Sequence, residues 1–345
     1  RRASNRCSSV HWGALMIHPP LKGKRSLFCC PKTFGYESEI FRELDAMGAD
    51  VTYRSDRPSE HPWIKGFIRL FPQQAWCFCD LIYSHWIDRH GPKNCDFIFI
   101  IRGEGLSPNF IQKLRKRYPQ ARVLLHLWDN VANIKKVEMK FKHIDEISSY
   151  DPVDCDNFKE FRFRPLFFID KYLVNSVVSN KKLFFVGTLH SDRAKVIYKI
   201  KNALSSGTEF DYWLFIRSKW EYWFRILFDP YFRKLDSSRL IFKPMQFEII
   251  ANKLKECSIV IDIEHPNNSG LTMRTFEMLA SGKKLITTNH YIKQHDFYDS
   301  TRINVIDRTN PILPPSFFGS DPILPSETFV KRYSLQGWLS EIFGV

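Results

Sequence analysis

At 345 residues the chain has room for two domains, and its 44% hydrophobic and 26% charged shares exclude a disordered or fibrous protein. A net charge of +14 speaks about partners rather than fold, and it leaves nucleic acid, an anionic membrane surface, or phosphorylated small molecules. Aromatic residues reach 15%, 30 Phe among them, a mixture that suits an enzyme near a membrane better than a nucleic-acid binder rich in Lys, Gly and Ser. No apolar run approaches the ~18–20 residues of a membrane span.

Residues 1–24 read as a disordered leader: two arginines open it, its Ala14–Ile17 stretch is only weakly apolar, and Pro19 and Pro20 follow. Alternation then begins. Ser26–Cys30 reads as a strand, Ser38–Met47 as an amphipathic helix, and Asp50–Tyr53 as a second strand. Residues 61–90 are aromatic and helical, with a break near Pro72. Asp96–Ile101 is a buried strand, 108–117 a helix, and Arg122–Leu127 a strand. From 150 to 180 the period dissolves, so a first domain is expected over 25–165 and a linker over 166–181.

A second alternating series opens at Lys182–Val186. It continues with helix 191–204, strand 210–216, strand 239–243, helix 246–255, strand Ser258–Asp262, helix 271–281, and strands Lys284–Thr288 and 302–306. Its expected span is 182–308, and residues 309–345 form a proline-rich segment and a last helix over 326–343. Strands alternating with helices predict parallel sheets covered by helices, hence an α/β protein of two Rossmann-like units facing a cleft. Ligands in such sheets bind beyond the carboxyl ends of the strands. The eight cysteines are scattered, without a CxxC, and read as reduced thiols.

Within this frame one loop stands out. Asp262–Gly270 leaves a buried strand and enters a helix near Leu271, so the backbone N–H groups of 270–273 and the helix dipole favour an anion there. Arg274 adds a charge in the first turn, and Glu277 further along suits a ribose diol. The plainer reading is a helix start capped by Ser269, with Arg274 and Glu277 solvated.

The run Ser269–Asn289 resembles the donor-binding signature of GT-B glycosyltransferases. It is most similar to bacterial enzymes of capsule, exopolysaccharide and lipopolysaccharide synthesis and to spore-coat relatives of the CgeB kind. Phe185–Arg193 resembles the loop after the first strand of the donor domain, Ile241–Met245 the strand end that meets the nucleotide base, and Leu127–Asn133 with Asp151–Asp154 the end of the first domain. The resemblance implies a nucleotide-sugar donor held by the second domain, a last helix that crosses back to the first, and transfer to a glycan or lipid-linked saccharide acceptor. It implies Glu277 on the donor ribose, and Ser269, Gly270, Leu271 and Thr272 around the pyrophosphate and sugar. Gly187, Thr188, Arg193 and Arg217 are further donor contacts, with Lys243 and Met245 beside the base. The related E-x7-E pattern is incomplete, because Ser269 stands where the first glutamate belongs, and the stereochemical course does not follow.

A base should come from the first domain. Asp129, just beyond strand 122–127, is the leading candidate, and Glu104, after strand 96–101, is the second; His126 and Glu37 are weaker. The plain reading of Asp129 is an N-cap, and that of Glu104 a turn residue. Asp154 and Asp156 form a DxD pair, but a complete second α/β unit follows, so no metal and no cofactor is expected. Two basic clusters, 113–142 and the aromatic 219–234, suit an anionic bilayer interface, with 62–76 assisting; packing of those aromatics at the domain interface is the alternative. Two other functions remain open: a non-catalytic GT-B relative, and a nucleic-acid-binding protein suggested by charge alone, without a recognisable motif. No G-x-G-x-x-G follows either leading strand, which weakens a dinucleotide oxidoreductase. The expected location is cytoplasmic, at the inner face of a bacterial membrane.

Overall fold

The computed structural model describes residues 19–174, 180–205, 207–319 and 323–345. The leader reading for 1–18 and the linker reading for 175–179 lie outside the described residues. Within the described part of that leader, Leu21 is buried and its N–H donates to the carbonyl of Met47.

The first half contributes strands β1 (Arg25–Cys29), β2 (Asp50–Arg54), β3 (Phe97–Ile101), β4 (Arg122–Leu127), β5 (Glu146–Ser149) and β6 (Arg162–Phe163). Its helices are α1 (Tyr36–Ala46), α2 (Pro62–Leu70), α3 (Pro72–His90), α4 (Pro108–Arg117), α5 (Glu138–Phe141) and α6 (Pro152–Asn157). The strands form one sheet in the order β2-β1-β3-β4-β5-β6, parallel throughout. Strand β3, Phe-Ile-Phe-Ile-Ile, is buried at every position, as a central parallel strand covered on both faces must be.

The second half repeats the plan. Strands β7 (Leu183–Thr188), β8 (Phe210–Phe215), β9 (Leu240–Ile241), β10 (Ile259–Asp262), β11 (Lys284–Thr287) and β12 (Ile303–Val305) form a parallel sheet in the order β12-β11-β10-β7-β8-β9. Its helices are α7 (Arg193–Ala203), α8 (Lys219–Phe228), α9 (Phe247–Lys255), α10 (Met273–Ala280) and α11 (Pro315–Gly319).

The chain then returns to the first domain, as expected, but through two helices rather than one. Helices α12 (Glu327–Tyr333) and α13 (Leu335–Phe343) meet at Ser334, whose extended ψ ends the first and whose hydroxyl caps the second by accepting from the Gly337 N–H. From α13, Phe343 packs edge-on against Phe97 and Phe99 of β3, and Trp338 lies against Phe99, His126 and Phe167. His126 is therefore a core residue, fully buried with Nδ1 on Ser148, and burial pushes its pKa down to about 3. Arg164, also fully buried, donates to the carbonyl of Arg332 and pairs with Glu341, fastening the return.

Candidate donor site

The carboxyl ends of both sheets meet across the cleft. Asp262, at the end of β10, accepts from the hydroxyls of Thr272 (2.8 Å) and Thr275 (2.7 Å) and so ties the 263–272 loop to α10. The helix begins at Met273 with Thr272 in the N-cap place, two residues later than the sequence suggests. Ser269 is not its cap. Its hydroxyl donates to Asp151 of the first domain at 2.7 Å, and the Gly270 N–H donates to the same carboxylate at 3.3 Å. A carboxylate thus stands where the sequence places an anion, but it is a side chain of the protein. Asn289, after β11, holds this turn from behind by donating to the carbonyls of Ser269 and Gly270. Gly270 is needed for packing: a Cβ there would lie 2.4 Å from the Tyr150 ring. Leu271 is buried.

Glu277 is 1% exposed. The hydroxyl of Tyr36, on α1 of the first domain, donates to it, and Arg274 Nη1 lies 3.9 Å from its other oxygen. Burial raises its carboxyl above the usual range, while Arg274 and the Tyr36 hydroxyl pull it back. Arg274 Nη1 is buried and has no hydrogen-bond partner among the described residues. Beside these groups opens a slot of about 160 Å³, lined by Phe34 and Tyr36 from the first domain and Val186, Gly187, Thr188, Phe215, Ile241, Pro244, Met245, Ile250 and Arg274 from the second. Of the sequence-derived donor residues, Gly187, Thr188, Met245 and Arg274 converge on it. Lys243 is exposed after β9.

Arg193 is in the right loop, but its donors go to backbone: Nη1 to the Thr188 carbonyl (2.6 Å) and Nε to that of Ile263 (3.0 Å). It braces the loops after β7 and β10 instead of reaching outward. Gly187 makes room for it, since a Cβ would come within 2.9 Å of Arg193 Nη1. Arg217, exposed after β8, contributes with Arg193 to lowering the pKa of His190 to about 3, with burial the larger cause. The His190 and His265 rings lie 5.4 Å apart, tilted by 36°. Arg308, unforeseen from sequence, spans Asp192, Glu264 and Thr288. Burial raises the Glu264 carboxyl to about 7, against the opposing pull of Thr288 and Arg308.

The two base candidates separate clearly. Glu104 is 4% exposed, takes two hydrogen bonds from Arg57, and faces Arg69 and Arg102. These arginines outweigh the cost of burial and hold its carboxyl below the usual range. It is a buried structural anion on the turn after β3, which fits the plain reading, and its ion pairs weaken it as a base. Asp129 is 25% exposed beyond β4, accepts from Asn133 Nδ2 at 2.8 Å and lies 3.5 Å from Arg102. The capping role belongs to its neighbour Asn130, whose Oδ1 takes the Asn133 N–H and whose amide reaches the Asn267 carbonyl across the cleft. Glu37 accepts from the Thr33 N–H. The DxD pair is split: buried Asp154 serves the Val131 N–H and the Ser149 hydroxyl, whereas Asp156 faces solvent near Lys159. Among the described residues no His, Cys, Asp and Glu cluster is arranged to hold a metal.

The sequence missed Asp151, Tyr36 and Tyr150 as site residues, because each acts across the cleft from more than a hundred positions away. Asp151 at least lies in a quoted segment, Asp151–Asp154, beyond a strand end.

Two Rossmann-like parallel-sheet domains facing a cleft, with the chain end returned to the first, define the GT-B fold. Solved structures agree. HepE of Anabaena in complex with UDP and glucose superposes with a TM-score of 0.56 at 9% identity over 92% of this chain and 98% of that one. Its complex with UDP-glucose gives 0.55 at 8% identity over 93% and 98%. The catalytic domain of starch synthase IV from Arabidopsis thaliana, bound to ADP and acarbose, gives 0.50 at 11% identity over 82% and 88%. No protein-family model matches the chain, and no curated protein matches it in sequence.

Proposed function

We propose that this chain is a glycosyltransferase that moves a hexosyl group from a nucleotide-sugar donor to a glycan acceptor, without a metal. The observation that carries the reading is the slot at the ends of β7, β8 and β9, with Arg274 on its wall and Glu277 behind it. An apolar slot suits a nucleotide base, a carboxylate suits a ribose diol, and a guanidinium with an unsatisfied N–H suits a phosphate. That solved structures of this fold hold UDP-glucose and ADP supports the donor class. Asp129 is the proposed base. It would take the acceptor hydroxyl proton as the new glycosidic C–O bond forms and the anomeric carbon–phosphate oxygen bond breaks. The loop at 269–272 and Arg274 would stabilise the leaving diphosphate. The acceptor we favour is a lipid-linked saccharide of bacterial surface-polysaccharide synthesis, met at the inner face of the membrane; the outward aromatic residues of α2 and α8 support this.

The test is thermal denaturation against UDP-, GDP-, CMP- and dTDP-sugars, followed by calorimetry on Glu277→Ala. One donor should raise the melting temperature, since a ligand that binds only the native state stabilises it by mass action. Glu277→Ala should lower that donor's affinity about tenfold or more, the size expected for a lost charged hydrogen bond. Unchanged affinity would remove Glu277 from the donor site. A second reading, a non-catalytic GT-B relative, draws on the covering of Glu277 by Tyr36. Donor binding without turnover on any acceptor would favour it.

A further inference from the structure

Helix α8 is amphipathic the wrong way round for a protein in water. Trp220, Trp223, Phe224, Leu227 and Phe228 recur at helical spacing, and each is between 59% and 86% exposed. No residue of the helix is buried. Glu221 and Arg225 turn the other way. Glu221 accepts from the Arg217 N–H, and Arg225 donates to Asp229 and to the Ser191 carbonyl in the loop after β7. Asp229 caps the next turn through the N–H groups of Tyr231 and Phe232. Tyr222 packs on Phe232 and Phe242. The helix is therefore fastened to the donor domain by its polar side, with its apolar side outward.

We propose that α8 lies in the plane of an anionic bilayer, its apolar face in the headgroup–acyl boundary. Between 217 and 234 the acids, Glu221 and Asp229, are half-buried and bonded, so the exposed charges, Arg217, Lys219, Arg233 and Lys234, are all positive. Arg233 donates to the carbonyls of Ile226 and Leu227, which fixes a cation at the end of the apolar stripe. Tryptophan rings flanked by cations match that boundary. A second copy of the chain fits worse: a two-fold interface sets a patch against itself, which would bring these cations face to face. The proposal rests on the membrane-bound acceptor for its purpose, and it makes the donor domain itself a membrane-contacting part.

The test is flotation of the full chain with vesicles of phosphatidylcholine alone and of phosphatidylcholine with phosphatidylglycerol. Binding should require phosphatidylglycerol, weaken with salt, and fall about tenfold or more in Trp223→Glu/Phe224→Glu, from the loss of buried apolar area. Both positions are exposed, so melting temperature and donor-induced stabilisation should stay unchanged. No flotation of the parent chain, or equal flotation of the variant, overturns the proposal. So does light scattering that finds a dimer lost in the variant, because the occupant is then a second copy. Donor binding is read separately: vesicle binding without it would sink the transferase reading and leave this one standing.

Discussion

Glu104 and Asp129 lie beyond adjacent strands and share one arginine, with Arg102 Nη2 at 3.6 Å from the first and 3.5 Å from the second. Their environments assign them opposite work. Glu104 shares with Asp56 the task of balancing buried Arg57, so Glu104→Gln removes the hydrogen-bonded partner of that guanidinium and should cost about 2 kcal/mol in denaturant unfolding. The pH dependence follows from the lowered pKa of Glu104. Its stabilisation is present above the unfolded carboxylate range and is lost as pH falls through the depressed folded value, so the parent chain should lose this margin in acid and Glu104→Gln should not. Asp129→Asn, at a quarter-exposed side chain, should shift stability by less than about 1 kcal/mol and abolish turnover while donor affinity holds. Near-normal transfer in that variant would remove Asp129 as the base. The sequence places both acids at strand ends but cannot rank them. What ranks them is three arginines at 57, 69 and 102, brought to Glu104 by two loops and helix α2.

Among the elements, those with a strong apolar period were legible: β3, β4, β7 and β10 lie within a residue or two of expectation. Strand β5, Glu-Ile-Ser-Ser, and the two-residue edge strand β6 were not, because neither carries an apolar run; β6 fell in the stretch where the period dissolved and β5 just before it. The late start of α10 has a similar cause, since Asp262 holds the Thr272 hydroxyl through a contact that no local pattern records. The chain return is the element whose energetics are clearest. Trp338 is fully buried against residues of the first domain. Trp338→Ala should cost about 3–5 kcal/mol in thermal or denaturant unfolding. Hydrogen exchange should show the added opening first in α12 and α13. A loss below about 1 kcal/mol would mean that α13 does not hold the first domain.

Taken whole, the molecule has its cleft shut by its own side chains. Asn130 reaches Asn267, Tyr36 covers Glu277, and Asp151 sits on Ser269 and Gly270. The remaining slot of about 160 Å³ is below the roughly 300 Å³ at which small-molecule sites begin, so the proposed nucleotide-sugar would have to part the domains to enter. On the proposed donor assignment, Asp151 then competes with the donor. Its carboxylate and a diphosphate want the same N–H group, and two anions cannot share it. Asp151→Asn removes the competing charge. Nucleoside diphosphate affinity by calorimetry should therefore rise about fivefold or more, the size of an ordinary coupling free energy between two states. The ligand-free chain should become less stable by about 1–2 kcal/mol, as a charge-assisted hydrogen bond across the cleft weakens. In small-angle scattering the variant should show the larger radius of gyration before nucleotide is added. If its affinity for the nucleotide falls instead, Asp151 is a donor ligand rather than a rival, and the closed cleft is the binding-competent form.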